Sequence, residues 1–191
     1  METKKIHTSF FATQNLVLIG MFAALMAVIS QLSVPLPTGV PVTIQVMGIA
    51  LIGAILGWKK GFFAVLVYIL VGAAGLPIFA NFQGGIQCLV GMAGGYILAW
   101  PIMAICCGIR LFPEKKIANL VSSIVLALVG LMIVEFVGAF QWSLLTSEMT
   151  LKAIIAYSFV AFIPKDIVIT IIGVLLGRQI RKPLVKAGYL E

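Results

Sequence analysis

The sequence is poor in charged residues and in the residue types that most often carry catalysis or bind metals. Only 10% of its 191 residues are charged, and it has one histidine and three cysteines. The histidine, His7, lies in a polar N-terminal tail, and the cysteines lie in apolar segments. This leaves no histidine-based triad in the apolar part of the chain and no cysteine–histidine metal site. A Gly-x-x-x-x-Gly-Lys-Ser/Thr motif is also missing. We therefore expect no metal, no cofactor and no ATPase activity of its own.

Apolar residues, by contrast, dominate the chain. They make up 62% of the sequence, and the mean hydropathy is +1.17. A water-soluble domain needs far more polar surface than this. Segments of about 20 apolar residues cross a bilayer as helices, because hydrocarbon offers no hydrogen-bond partner to the backbone. The composition predicts an integral membrane protein with one transmembrane domain over residues 1–191 and no soluble domain.

The order of apolar segments predicts an all-α bundle of six transmembrane helices. The second and third segments are short, and a basic break at Trp58-Lys59-Lys60-Gly61 separates them as a turn would. The fourth is interrupted near its middle by Pro101. The predicted spans are residues 15–33, 41–58, 62–75, 88–109, 117–142 and 152–180.

The positions of the basic residues predict the orientation. All of them except Lys152 and Lys165 fall on one side of the predicted bundle: Lys4, Lys5, Lys59, Lys60, Arg110, Lys115, Lys116, Arg178, Arg181, Lys182 and Lys186. By the positive-inside rule both termini are cytoplasmic, and the loops at 34–40, 80–87 and 142–151 face outward. Topology thus explains the net charge of +7. Without a basic aromatic face, nucleic acid is not an expected partner.

The stretch 75–96 differs from the apolar runs around it. Pro77, Asn81, Gln83 and a series of glycines interrupt the hydrophobicity there without adding a charge. Glycine allows close approach, and the Asn amide offers both donors and an acceptor, so this stretch could read a neutral cyclic amide or urea. An ordinary turn between membrane helices explains the same residues equally well.

A few polar residues enter the predicted spans. Lys165 and Asp166 follow Pro164 in the last span, and a charge at the bilayer centre costs roughly 2.5 to 3.5 kcal/mol, so we expect this pair to face a cavity or a partner. Glu135 could line the same cavity or pair with Lys165. Gln45 could serve a site or form a hydrogen bond between helices.

In the first span, Gly20 with Ala24 and Ala23 with Ala27 give small residues four apart, which suits close packing inside the bundle or docking of another subunit.

Taken together, these motifs resemble the BioY family, the biotin-specific substrate-binding (S) subunits of energy-coupling factor (ECF) vitamin transporters. The resemblance covers essentially the whole chain. One departure is that similar sequences often carry Gly before the Asp and Lys a few residues after it, whereas Lys165 and Ile169 stand there here. The motifs that carry the resemblance are Pro41-Val42-Thr43-Ile44-Gln45, Gly75-Leu76-Pro77-Ile78-Phe79, Gly84-Gly85, Gly91, Gly94-Gly95-Tyr96 and Phe162-Ile163-Pro164-Lys165-Asp166-Ile167.

The resemblance implies a multi-pass protein of a prokaryotic plasma membrane that captures biotin from outside. A separate transmembrane coupling subunit with two cytoplasmic ATPases would power uptake. Ala23 and Ala27 resemble the family's Ala-x-x-x-Ala docking surface, and Gly20 and Ala24 add further small residues beside them. No catalytic residue is implied.

The resemblance also implies a binding site for a neutral ureido ring, an apolar body and a carboxylate. Asp166 and Asn81 would hold the ureido ring with help from Gln45, and Lys165 would meet the carboxylate. Phe79, Phe82 and Tyr96 would form walls. The loop from Pro77 to Gly85, with Gly84 and Gly85 at its end, would act as a lid.

Three other hypotheses stay open. The chain could be an S subunit for a different small vitamin. It could be an intramembrane acid–base enzyme in which Glu135 and Asp166 share a proton, although an adjacent Lys165 would hold Asp166 ionised. It could also be a purely structural membrane subunit, which the clustering of polar residues towards one outer face disfavours.

Overall fold

The computed structural model describes residues 12–37, 39–147 and 149–190. The predictions that involve Lys4, Lys5 and His7 lie outside these residues. The described chain is mostly helical, with short non-helical connections. Its α-helices are α1 (Thr13–Ile29), α2 (Gln45–Leu56), α3 (Trp58–Ala73), α4 (Gln87–Val90), α5 (Gly94–Gly108), α6 (Lys116–Leu145), α7 (Leu151–Ala161) and α8 (Ile163–Lys186).

Two of the predicted spans are each divided into two helices. The break in the predicted span 88–109 lies at Gly91, where the backbone is extended, and α5 then runs through Pro101 without ending. The expected interruption at Pro101 is therefore wrong. The α7–α8 pair bends by 54°, just before Pro164, whose missing N–H suits the first turn of a helix. Within the described residues, α6 alone is long and apolar enough to cross a bilayer, and α7 with α8 meets that criterion together. Six spans remain a prediction.

The connection between α1 and α2 contains the described strands, β1 (Ser33–Val34) and β2 (Val42–Thr43). They pair antiparallel, with Ser33 opposite Thr43. Helix α1 ends at Ile29, four residues before the predicted end of the first span. The hairpin brings Thr43 and the start of α2 to the end of the bundle where α8 begins.

Helix α2 is the centre of the bundle. Eleven of its residues are buried, and it packs against α8, α5 and α3. Two glycines of α8 allow the closest approach, because a Cβ at Gly173 would lie 2.5 Å from the Met47 carbonyl oxygen and one at Gly177 would lie 2.7 Å from the Ala54 Cβ. Small residues four apart thus hold α8 on α2.

Three arginines lie together at one end of the bundle, which we call the arginine end. Arg110 Nη2 donates to the Ala54 carbonyl at 3.2 Å, and Arg181 donates to the carbonyl of Ile55. These carbonyls belong to the last turn of α2 and have no partner within the helix. Burial, and repulsion by Arg178, lower the pKa of Arg110. The assignment of this end to the cytoplasm remains a prediction.

The small residues of α1 do not share one free face. Ala23 is 7% exposed and belongs to the core, and Ala27 packs against that core. Gly20 and Ala24 are exposed. The predicted docking pair Ala23 and Ala27 therefore faces inward, since α1 packs on α3 and α2. Only the side that carries Gly20 and Ala24 is open to a partner.

Candidate functional site

A cavity of about 500 Å³ lies at the end of the bundle opposite the arginine end. It is formed by the first turns of α2, α5 and α8, the middle of α6 and the loops before α2 and α5. Its polar lining side chains come from Thr43, Gln45, Gln83, Gln87, Tyr96, Glu135, Lys165 and Asp166. Its apolar wall includes Phe79, Ile97, Trp100, Val134 and Phe162.

The adjacent residues Lys165 and Asp166 form an ion pair in this lining. Lys165 Nζ also donates to the Thr43 carbonyl at 2.6 Å, so the hairpin strand β2 helps to hold the ammonium. Asp166 lies in the first turn of α8, where the helix dipole favours a negative charge. Its side chain is buried, so the ion pair with Lys165 and the N-terminal end of α8 are what stabilise its negative charge.

Gln45 both lines the cavity and bonds to a neighbouring helix. Its Nε2 lies 3.3 Å from the Tyr68 hydroxyl, and that hydroxyl donates to the Ile78 carbonyl at 3.1 Å. The two alternatives left open for Gln45 are therefore compatible. Through Tyr68, the residue ties α2 to the loop that begins the glycine-rich stretch.

The wall of the cavity is aromatic. Tyr68 packs edge-on to Phe79 with ring centroids 5.5 Å apart, and it lies 6.1 Å from the ring of Trp100. Phe79 and Tyr96 line the cavity, and their role as walls for a ligand stays a prediction. Phe82, by contrast, is 72% exposed and does not reach the cavity.

The glycine-rich stretch contributes only in part. Gly84 lines the cavity, whereas Asn81 and Gly85 do not. Asn81 Oδ1 accepts a hydrogen bond from Ser33 Oγ at 3.0 Å, and Gly85 N–H donates to the Gly72 carbonyl at 2.7 Å. Both Asn81 and Phe82 have positive φ, near 57° and 56°. Direct ligand contacts by Asn81, Phe82 and Gly85 remain predictions.

Glu135 projects from the middle of α6 into the cavity lining. Among the described residues it forms no ion pair, because Lys165 is paired with Asp166 instead. The hypothesis of a Glu135–Lys165 pair is therefore wrong in this structure. Its Oε2 is buried without a hydrogen-bond partner.

Several lining residues were not predicted. Gln87 lies at the start of α4, and its Nε2 donates to the Gly84 carbonyl at 2.6 Å. Gln83 and Gln87 are amides within the unusual stretch 75–96, so its composition could have indicated them. Trp100 lies in a continuous apolar helix, where nothing in the sequence separates a wall residue from a core residue.

Comparison with solved structures supports the fold. The chain is similar to the crystal structure of the S-component for biotin from an ECF-type ABC transporter, with a TM-score of 0.77 and 29% sequence identity. The match covers 92% of this chain and 94% of that one. With this fold and its apolar helices, the chain is a membrane protein.

Comparison with known sequences supports the same relationship. The biotin transporter BioY of Thermotoga maritima is 34% identical over 169 residues, which are 88% of this chain and 96% of the relative. The biotin transporter BioY2 of Lactococcus lactis subsp. cremoris is 34% identical over 173 residues, 87% of this chain and 91% of the relative. The model of the BioY family matches residues 1–186. The chain therefore belongs to the BioY family.

Proposed function

We propose that this chain captures biotin as the substrate-specific subunit of an ECF-type vitamin importer. The observation that carries the proposal is the ion pair of half-buried Lys165 with buried Asp166 in the wall of a cavity of about 500 Å³, within the fold of a biotin S-component. The cavity volume lies within the usual range of about 300 to 1,000 Å³ for small-molecule sites. The chain acts in transport and is not an enzyme.

The chemistry of the lining suits biotin. Asp166 offers carboxylate oxygens to the ureido N–H groups, and Gln45 lies in the same cavity to assist. Phe79, Tyr96 and Trp100 offer an aromatic surface to the apolar rings and chain. Lys165 would meet the ligand carboxylate with the one donor that Thr43 and Asp166 do not use, since an ammonium has three.

The loop 77–85 would close over bound biotin. Gly84 and Phe79 are already in the lining, whereas Asn81 and Phe82 stand outside it on left-handed backbone. An inward turn of this short segment would bring the Asn81 amide towards the ureido ring and cover the ligand. Such loop closure is a common way to shield a bound small molecule.

We further propose that the protein is multi-pass in a prokaryotic plasma membrane, with the cavity end outside. Uptake would require a transmembrane coupling subunit and a pair of cytoplasmic ATPases. The exposed side of α1 with Gly20 and Ala24 is the proposed docking surface, since small residues let a partner helix approach closely in lipid.

The direct test is ligand identification on the purified protein. We expect mass spectrometry of the denatured protein to recover intact biotin, and calorimetry on ligand-free protein to give a saturable biotin isotherm. Thiamine and riboflavin, vitamins of other shape and polarity, serve as controls. Tight binding of another vitamin without biotin binding would overturn the substrate assignment. Chemical turnover of biotin would favour the Glu135–Asp166 enzyme hypothesis instead.

A further inference from the structure

Glu135 is a buried acidic group to which the ligand contacts proposed above assign no role. Its side chain is 7% exposed, and its Oε2 has no hydrogen-bond partner in the described structure. The residue belongs to the cavity lining. It therefore presents an unused polar group to whatever fills the cavity.

Among the described residues, no cation forms an ion pair with Glu135. Lys165 is the single basic residue in the cavity lining, and its ammonium is bonded to Asp166 and to the Thr43 carbonyl. On its other side Glu135 borders a smaller cavity of about 190 Å³, whose lining is apolar apart from Glu135 and Ser158. An ionised carboxylate buried without a partner is strongly disfavoured.

The groups around Glu135 come from three other helices. Tyr96 of α5 and Asp166 and Lys165 of α8 lie within electrostatic reach, and Ser158 of α7 lies in the wall of the smaller cavity. The Tyr96 and Ser158 hydroxyls are also buried without hydrogen-bond partners. A second carboxylate so near Asp166 would add repulsion to the cost of burial.

We infer that Glu135 lines the cavity as a protonated carboxylic acid and donates a hydrogen bond to a neutral carbonyl of the ligand. Given the proposed function, on which this inference rests, that acceptor is the ureido carbonyl of biotin. The ureido ring carries N–H donors and a carbonyl acceptor side by side. Asp166 as an ionised acceptor and Glu135 as a neutral donor supply the two complementary groups. The ligand carboxylate is assigned to Lys165 above, which leaves the ureido carbonyl as the acceptor for Glu135.

The substitutions Glu135→Gln and Glu135→Leu test the inference by calorimetry with biotin. Glu135→Gln keeps a donor of similar shape and should bind within about threefold of the wild type. Glu135→Leu removes the donor and should bind about tenfold more weakly or worse. Thermal unfolding in detergent reports whether each variant is folded. Wild-type affinity in Glu135→Leu, or equal losses in both variants, would overturn the inference.

The pH dependence of biotin affinity gives a measurement that would not differ between the wild type and Glu135→Gln if Glu135 were only structural. Wild-type affinity should fall at alkaline pH as Glu135 loses the proton it donates, whereas Glu135→Gln should retain its affinity. Asp166, Lys165 and Tyr96 are present in both proteins, so a difference between the two pH profiles reports the substitution of Glu135. Identical pH profiles would overturn the inference, even if Glu135→Leu did not fold.

The ligand supplies the complementary test. An analogue with sulfur in place of the ureido oxygen is a weaker acceptor, so it should lose affinity relative to biotin in the wild type and in Glu135→Gln, and lose clearly less in Glu135→Leu. An equal loss in all three proteins would mean that Glu135 does not contact this atom. If the wild type binds no biotin at all, the proposed function fails, which is a separate outcome.

Discussion

At the arginine end, Arg110, Arg178 and Arg181 donate to main-chain carbonyls near the ends of α2 and α6, whereas at the cavity end Glu135 and Tyr96 keep buried polar atoms without partners. The same helices, α2, α5, α6 and α8, run between the two ends. Exceptions outside the cavity lining include Asn119 Oδ1 near the arginines and Thr170 Oγ1 of α8. Buried polar atoms are normally satisfied, so those left open around a cavity indicate where a ligand completes the structure.

This difference separates stability from binding along the helices. The arginines join helices through bonds to main-chain carbonyls, and none of the three is among the residues that line the cavity. The cavity end instead places charged and aromatic groups around empty volume. A substitution at the arginine end should therefore affect folding stability, and a substitution at the cavity end should affect biotin binding.

The largest expected effect lies on neither end but on the outer side of α1. Replacing Gly20 and Ala24 together with Trp should abolish assembly with the coupling subunit and energised uptake, because bulky side chains prevent close helix approach. Nothing lies within 4 Å of a Cβ built at Gly20, so the bundle itself should tolerate the change. Uptake of labelled biotin by cells and calorimetry on the isolated protein measure the two effects.

The matched control for that experiment is Val121→Trp with Val125→Trp on α6. These valines are also exposed and four residues apart. They should leave both uptake and binding intact. Equal uptake defects in the two double variants would mean that any bulky addition to the surface disturbs transport, and the docking assignment would be wrong.

The next effect is expected at the cavity end. Asp166→Asn removes the charge that accepts ureido N–H groups, so biotin binding should weaken by about 1.5 to 3 kcal/mol, about 10- to 150-fold. Calorimetry measures the loss, and Glu114→Gln, an exposed acidic residue near the arginine end, is the isosteric control. Unchanged affinity in Asp166→Asn would remove Asp166 from the binding site.

At the arginine end the expected effect is on unfolding. Arg178 Nη1 donates to the Asn119 carbonyl at 3.2 Å and to Ser123 Oγ at 2.9 Å. Arg178→Met should therefore lower stability by about 1 kcal/mol, the typical net worth of a hydrogen bond, because the Asn119 carbonyl and the Ser123 hydroxyl keep each other as partners. Thermal unfolding in detergent should show the loss while biotin affinity stays unchanged. Lys182→Met makes a similar change at an exposed position, and a large affinity loss in Arg178→Met alone would show that the two ends are coupled.

The sequence predicted best what depends on composition. Long apolar segments gave the helices, and the charges of Lys165 and Asp166 stood out because their background is apolar. Which side of a helix faces the bundle was harder to predict. The four-residue spacing of Ala23 and Ala27 defines one side of a helix, but whether that side meets the bundle or lipid depends on how α1 rotates against α3.

Aromatic walls and loop conformations were also beyond sequence reasoning. Trp100 and the buried Tyr68 belong to apolar helices, in which lining and core residues obey the same preference for burial. The break at Gly91 was missed because Pro101 gave the stronger helix-breaking signal. The position of Asn81 outside the cavity follows from its bond to Ser33, a contact between residues distant in sequence.

The smallest expected effect concerns the loop at the cavity mouth, where Asn81→Ala should weaken biotin binding more than Phe82→Leu. A lost amide hydrogen bond is worth about 0.5 to 1.5 kcal/mol, whereas Leu keeps most of the apolar surface of Phe. Calorimetry on both variants gives the order. The reverse order would mean that the loop closes over the ligand through Phe82.

The backbone of Asn81 requires one further comparison. Its φ of 57° is left-handed, a region that Asn adopts more easily than Ala, so Asn81→Ala strains the loop as well as removing the amide. Asn81→Gly removes the amide but accepts the same φ. If Asn81 contacts biotin, the Gly and Ala variants should both bind more weakly than the wild type. If Gly restores full affinity, the loss in the Ala variant comes from the backbone alone, and Asn81 acts by shaping the loop and not by reading the ureido ring.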